Sequence, residues 1–221
     1  MVTYKEIAEM IDHSLLKPTL TDQDIIDGCN LAKEYQVASV CVRPSDLPLC
    51  RQILAGSDVL LTTVIGFPHG TTTTKTKVAE SAEAIENGAV ELDVVLNIGK
   101  LRSGEYDYVA DDLRAVISLA HEKGVLVKVI FENCYLSKEE IIKACEICNE
   151  VGADYVKTST GYGSGGATDE DLKLMRQHAA PNVKIKAAGG VRTLERAIEV
   201  RRLGVTRFGC TATAGILERL K

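Results

Sequence analysis

The chain has 221 residues, of which 45% are hydrophobic and 26% charged, the balance of a globular chain with a full core. A net charge of −5 and the lack of any Lys/Arg run argue against nucleic acid or a membrane surface as partner. No stretch is apolar for long enough to span a membrane, and the N-terminal residues do not read as a secretory leader, so a soluble, cytoplasmic protein is expected.

Residues 3–10 carry an amphipathic pattern and predict a first helix. Strands are expected near 11–14, 37–42, 59–65, 90–96, 125–131, 154–159, 183–187 and 206–210. One phrase recurs: a charged helix tail, a glycine, then an apolar run. It occurs at Gly88, Gly124, Gly152 and Gly204, where glycine suits the left-handed residue that ends a helix. Residues 33–42 follow the same plan without the glycine. Amphipathic segments such as 107–121 and 138–150 lie between strands. This alternation implies a parallel sheet, and eight units imply a closed (β/α)8 TIM barrel with an extra N-terminal helix, one domain over 1–221. An open doubly wound sheet would want Gly-x-Gly-x-x-Gly after its first strand, and none follows.

The seven cysteines, at 29, 41, 50, 134, 145, 148 and 210, are dispersed and odd in number, which fits reduced thiols. Cys145 and Cys148 form a C-x-x-C, read as two small apolar residues on one helix face. The histidines, at 13, 69, 121 and 178, lack ligand spacing, so no metal is expected. His13 and His69 are read as structural histidines near the mouth.

The informative residues are charges inside strands, where an unpaired ammonium is costly. By strand parity, Leu92, Val94 and Leu96 face the helices, and Glu91 and Asp93 face the lumen. Lys128, Lys157 and Lys186 join them, and Lys184 shares the face of Lys186. Glu91, Lys128 and Lys184 lie lower and are read as an ion-pair floor. Asp93, Lys157 and Lys186 lie nearer the mouth, where barrels carry their chemistry. A lysine beside a second cation in a dry site loses affinity for its proton and becomes a nucleophile toward carbonyls. Anion binding is expected from glycines after the late strands, where backbone N–H groups are free: Gly161, Gly189, Gly190 and Gly209.

Seven segments then point to one family: Asp12-His-Ser-Leu-Leu-Lys-Pro, Ser39-Val-Cys-Val, Thr62-Thr-Val-Ile-Gly-Phe-Pro-His-Gly, Glu91-Leu-Asp-Val-Val, Lys128-Val-Ile-Phe-Glu, Lys157-Thr-Ser-Thr-Gly-Tyr-Gly and Lys186-Ala-Ala-Gly-Gly-Val-Arg. In this order and spacing the chain resembles the deoxyribose-phosphate aldolases from Ile11 to about Leu217. The resemblance implies a class I aldolase that cleaves 2-deoxy-D-ribose 5-phosphate to acetaldehyde and D-glyceraldehyde 3-phosphate, with no cofactor. It implies that Lys157 forms the Schiff base, that Lys186 lowers its proton affinity, and that Asp93 is the acid/base group. Asp12 would support the lysines and substrate hydroxyls, and Cys41 matches a cysteine that some members carry near the site. Gly161, Gly189, Gly190, Gly209, Thr211 and Thr158 would bind substrate or its phosphate. Members are often dimers.

The chain departs from the family after the eighth strand. Thr211 stands for a first serine, Ala212 lacks the second hydroxyl, and Thr213 replaces a common glycine. The chain also ends at Leu220-Lys221, without the C-terminal tyrosine of many members. Another Schiff-base aldolase or transaldolase, a phosphosugar isomerase, and a non-catalytic barrel that binds sugar phosphates are the alternatives.

Overall fold

The structure, a computed structural model, describes residues 2–221. Its strands are β1 (Ile11–Leu15), β2 (Ser39–Val42), β3 (Leu60–Ile65), β4 (Glu91–Val95), β5 (Leu126–Ile130), β6 (Tyr155–Lys157), β7 (Lys184–Ala188) and β8 (Val205–Cys210). All pair in parallel with their sequence neighbours, and β8 closes on β1 through Ile11–Phe208, Asp12–Gly209 and His13–Cys210. The helices are α1 (Tyr4–Ala8), α2 (Asp22–Glu34), α3 (Leu47–Leu54), α4 (Thr74–Glu86), α5 (Ile98–Arg102), α6 (Tyr106–Glu122), α7 (Lys138–Val151), α8 (Asp169–His178), α9 (Leu194–Arg202) and α10 (Thr213–Leu217). This is the expected (β/α)8 barrel, with α1 as the extra N-terminal helix.

Local chemistry accounts for the boundaries. Thr3/Glu6, Thr21/Asp24 and Ser137/Glu140 form capping boxes that start α1, α2 and α7. Gly152 ends α7 at φ 77°, and where the repeated phrase has no glycine, Gln36 takes φ 50° in the same role. Val37 is therefore spent closing α2, its N–H donating to the Ala32 carbonyl, and β2 starts at Ser39 rather than 37. β6 is shorter than expected because the chain bends away after Lys157. There the Thr158 hydroxyl accepts from Ala188 N–H at 3.0 Å and donates to the Ala188 carbonyl at 3.1 Å.

Outward-facing strand residues such as Leu92, Val94, Val129, Ile185 and Phe208 are buried against the helices, in a core that includes Cys145 and Cys148 of α7. The C-x-x-C is thus helix-face packing, as expected, and its thiols are free. Inside the barrel the floor differs from expectation. Lys184 is exposed at the lower rim, its ammonium 5.4 Å from the Tyr155 ring centre. Its place in the ion-pair floor is taken by Arg207 of β8, which binds Glu91 at 2.9 and 3.1 Å. Lys184 is the first residue of β7, where the barrel has not yet closed over the lumen, so its ammonium stays in water. Between α4 and α6 a second buried pair, Lys77–Asp112 at 2.6 Å, also binds the Val95 carbonyl at the end of β4.

Candidate active site

A cavity of about 770 Å³ opens at the C-terminal ends of the strands. Its base is made by Asp12, Cys41, Lys157 and Lys186, from β1, β2, β6 and β7. Strand parity sends these side chains inward, and register sets Lys157 beside Lys186 across the β6–β7 pair.

The four residues expected to carry chemistry lie together. Asp93 Oδ2 accepts from Lys157 Nζ at 2.7 Å and from Lys186 Nζ at 2.6 Å. Lys186 also binds Asp12 Oδ2. Asp12 Oδ1 accepts from Ser39 Oγ and from Arg207 Nε, both at 2.7 Å. Beneath them Lys128 reaches Glu91 at 2.5 Å and Asp93 Oδ1 at 3.0 Å, and Thr62 donates to Glu91 at 2.9 Å. The expected floor and the expected catalytic group are therefore one network.

Charge counting shows what the network favours. Among the described residues it holds four cations (Lys128, Lys157, Lys186, Arg207) against three carboxylates (Asp12, Glu91, Asp93), one proton more than balance. The group that yields is Lys157: burial first, then the Lys186 charge, lower its proton affinity, and the ion pair with Asp93 only partly opposes them. Lys186 goes the other way. Burial alone would lower it, but Asp12 and Asp93 clasp its ammonium and raise it. Asp93 is held well below the usual carboxylate range by Lys128, Lys157 and Lys186 despite its burial. Asp12 is depressed likewise by Lys186, Arg207 and Lys128. The site thus presents an amine biased toward neutrality next to a permanent ammonium and an ionised carboxylate.

The expected anion-binding residues divide. Gly161, Gly189, Gly190, Gly209 and Thr211 line the cavity, and the exposed Lys17 and Arg192, which sequence reasoning did not single out, line it with them. Thr158 does not: it is fully buried, with its hydroxyl held by Ala188, and it pins β6 to β7. Thr213 is also buried, and its hydroxyl meets His13 Nδ1 at 2.9 Å. His13 is the satisfied structural histidine expected, pushed down to about 4 by burial. His69 is exposed. Cys41 is more than core filling, since it faces the cavity, although burial and the nearby Asp93 carboxylate push its thiol up to about 11.

Two further residues shape the mouth. Glu132, at φ 58° two residues beyond β5, binds the Thr160 hydroxyl and N–H, anchoring the loop that follows Lys157. Tyr162 on that loop donates to the Leu16 carbonyl at 2.8 Å and meets the Phe67 ring edge-on at 5.4 Å. The same loop touches the β7 loop backbone to backbone. A Cβ at Gly166 would lie 2.7 Å from the Gly189 oxygen, which accepts from Ala167 N–H at 3.0 Å. No group of three or more His, Cys, Asp or Glu among the described residues could hold a metal ion, and none of their helices is long and apolar enough to cross a membrane.

A (β/α)8 barrel with paired lysines around one carboxylate at the mouth defines the class, an aldolase working on carbonyl substrates. Residues 7–210 match the DeoC/LacD family aldolase model, and the chain belongs to that family. It is 54% identical to the deoxyribose-phosphate aldolase of Rhodopirellula baltica over 97% of this chain and 89% of that one. It is 50% identical to that of Thermococcus gammatolerans over 96% of each chain. The tetrameric deoxyribose phosphate aldolase of Aeropyrum pernix superposes with a TM-score of 0.91 at 28% identity, covering 98% of this chain and 91% of that one.

Proposed function

We propose that the chain, acting over 1–221 as one aldolase domain, cleaves 2-deoxy-D-ribose 5-phosphate to acetaldehyde and D-glyceraldehyde 3-phosphate. The neutral amine of Lys157 attacks C1 of the open-chain aldehyde, and loss of water leaves an iminium. The C2–C3 electron pair then flows into the iminium to give an enamine, as the proton on the C3 hydroxyl passes to Asp93 Oδ2. Glyceraldehyde 3-phosphate departs. The enamine takes a proton at C2, and water hydrolyses the resulting iminium to acetaldehyde and free Lys157. Lys186 keeps Lys157 neutral by charge, and Asp12 holds Lys186 in place. The phosphate rests on backbone N–H groups around Gly161, Gly189, Gly190 and Gly209, with Thr211 as the side-chain hydroxyl and Arg192 as a counter-charge.

The observation that carries this reading is the shared oxygen of Asp93, which sets Lys157 and Lys186 against each other and biases one of them toward the neutral amine. Reduction with borohydride in the presence of acetaldehyde, followed by peptide mapping, tests it. The N-ethyl adduct belongs on Lys157, and an adduct confined to Lys186 or Lys128 refutes the assignment. A cytoplasmic homo-oligomer, a dimer in its simplest form, is part of the same reading, with the Aeropyrum tetramer as precedent. Sedimentation equilibrium tests the assembly.

A further inference from the structure

The two oxygens of Asp93 are not equivalent. Oδ2 receives both Lys157 and Lys186, whereas Oδ1 receives Lys128 alone, at 3.0 Å. Lys128 is fully buried on β5, and its ammonium faces three carboxylates: Glu91 at 2.5 Å, Asp93 at 3.0 Å and Asp12 at 3.8 Å. It is itself fastened from below, because Thr62 and Arg207 hold the Glu91 carboxylate that Lys128 grips. An ammonium held on three sides does not swing.

From this we propose that Lys128 is a positioning residue of the reaction: it fixes Oδ1 of Asp93 and thereby reserves Oδ2 as the oxygen that exchanges the substrate proton. The inference rests on the reading of Lys157 and Asp93 given above. Its physical content lies in the moment after imine formation. The Lys157 nitrogen then turns toward the substrate carbon, and Asp93 loses part of one of its tethers. A carboxylate held only by Lys186 could rotate about Cβ–Cγ, whereas one also held at Oδ1 keeps its plane and presents Oδ2 unchanged. Holding reactive groups within a fraction of an ångström is where much of the barrier reduction arises.

Lys128 also sets the charge that Asp93 feels once Lys157 is covalently occupied. The other groups facing Asp93 are Asp12 from β1, the Cys41 thiol from β2, Lys157 from β6 and Lys186 from β7, with Glu91 on its own strand. Arg207 of β8 acts on it only through Asp12 and Glu91. Of the cationic charges that hold Asp93 in its ionised form, that of Lys128 acts most strongly, with Lys157 adding a hydrogen bond to its own charge.

The test is Lys128→Met, read in three ways: trapping with acetaldehyde and borohydride, KM and kcat for 2-deoxyribose 5-phosphate, and the pH dependence of kcat at saturating substrate, which reports groups in the bound complex. Expected are full trapping on Lys157, KM within about threefold, kcat lowered by about tenfold or more, and the acid limb of the kcat profile moved up by roughly one pH unit. Should circular dichroism show the Met variant misfolded, Lys128→Gln keeps donors toward Glu91 and Asp93 without the charge, and the same upward movement is expected. A folded variant whose acid limb stays in place, or whose trapping falls in proportion to kcat, overturns the proposal. Wild-type enzyme that gains no adduct on Lys157 refutes the underlying assignment instead, whatever the Lys128 variants do.

Discussion

Lys157 and Lys186 donate to the same oxygen of Asp93, at 2.7 and 2.6 Å, and only one of them loses proton affinity. The difference is Asp12, which binds Lys186 and is pinned by Ser39 and Arg207. Two chemically identical amines are thus moved in opposite directions, one toward the neutral form and one away from it, with one additional carboxylate on the second.

Removing the Lys186 charge should therefore change the proton affinity of Lys157. In Lys186→Leu the neighbouring charge that disfavours the Lys157 ammonium is gone while Asp93 remains, so Lys157 keeps its proton to higher pH. Attack needs the neutral amine, so kcat/KM should fall strongly near pH 7 and recover partly as pH rises, its acid limb displaced upward by about two to three units. A kcat/KM profile that only scales down would assign Lys186 to substrate positioning instead.

Acid should unfold the barrel early. Asp12 and Asp93 have folded-state pKa values depressed below the unfolded ones, so their stabilisation is present above the unfolded value near ~3.9 and is lost as pH falls through the folded values. Thermal melts should be nearly level between pH 6 and 8 and fall steeply below about pH 4. An undiminished midpoint at about pH 3 would mean these carboxylates are not linked to folding.

The loop proposed to hold the phosphate lacks a hydroxyl that Ala212→Ser would supply. Thr213 cannot stand in, because its hydroxyl is committed to His13. A hydrogen bond to a charged group contributes roughly 1.5–3 kcal/mol, so KM for 2-deoxyribose 5-phosphate should drop about tenfold with kcat little changed. Free deoxyribose should show no gain, and an equal gain for both sugars would place the new hydroxyl away from the anion.

Chelation should leave turnover intact. The electron sink in the proposed reaction is the Lys157 iminium, and among the described residues no cluster offers three metal ligands. Overnight dialysis against EDTA, then assay with and without added Zn²⁺, checks this. Loss of activity restored by zinc would contradict the covalent mechanism.

How far the residues alone led depended on periodicity. The repeated helix tail and glycine announced β4, β5, β6 and β8, the same plan without the glycine announced β2, and parity put Glu91, Asp93, Lys128, Lys157 and Lys186 in the lumen, where they lie. Arg207 obeys the same parity between Val205 and Gly209 and was available to the same argument. Parity failed at one strand end. Lys184 sits on the right face but below the closed part of the barrel, whereas Thr158 is expected from the resemblance alone, and parity sets it on the face opposite Lys157. The contact of His13 with Thr213 joins residues 200 positions apart, and nothing in the periodicity of either segment announces it. That Asp93 would be held at both oxygens required three-dimensional register across β4, β5, β6 and β7.

The backbone contact between Gly166 and Gly189 has an implication for altering what this barrel accepts. The segment that follows Lys157 and the segment proposed to cradle the anion meet at Gly166 and Gly189 with no room for a side chain between them. Neither glycine can be replaced alone: a library that varies Gly166 while Gly189 keeps its position will be dominated by clashes, and the reverse holds for Gly189. Swapping both segments together from a relative with a different anion preference is the change this geometry tolerates. It makes the pair, rather than either loop, the inheritable unit of specificity.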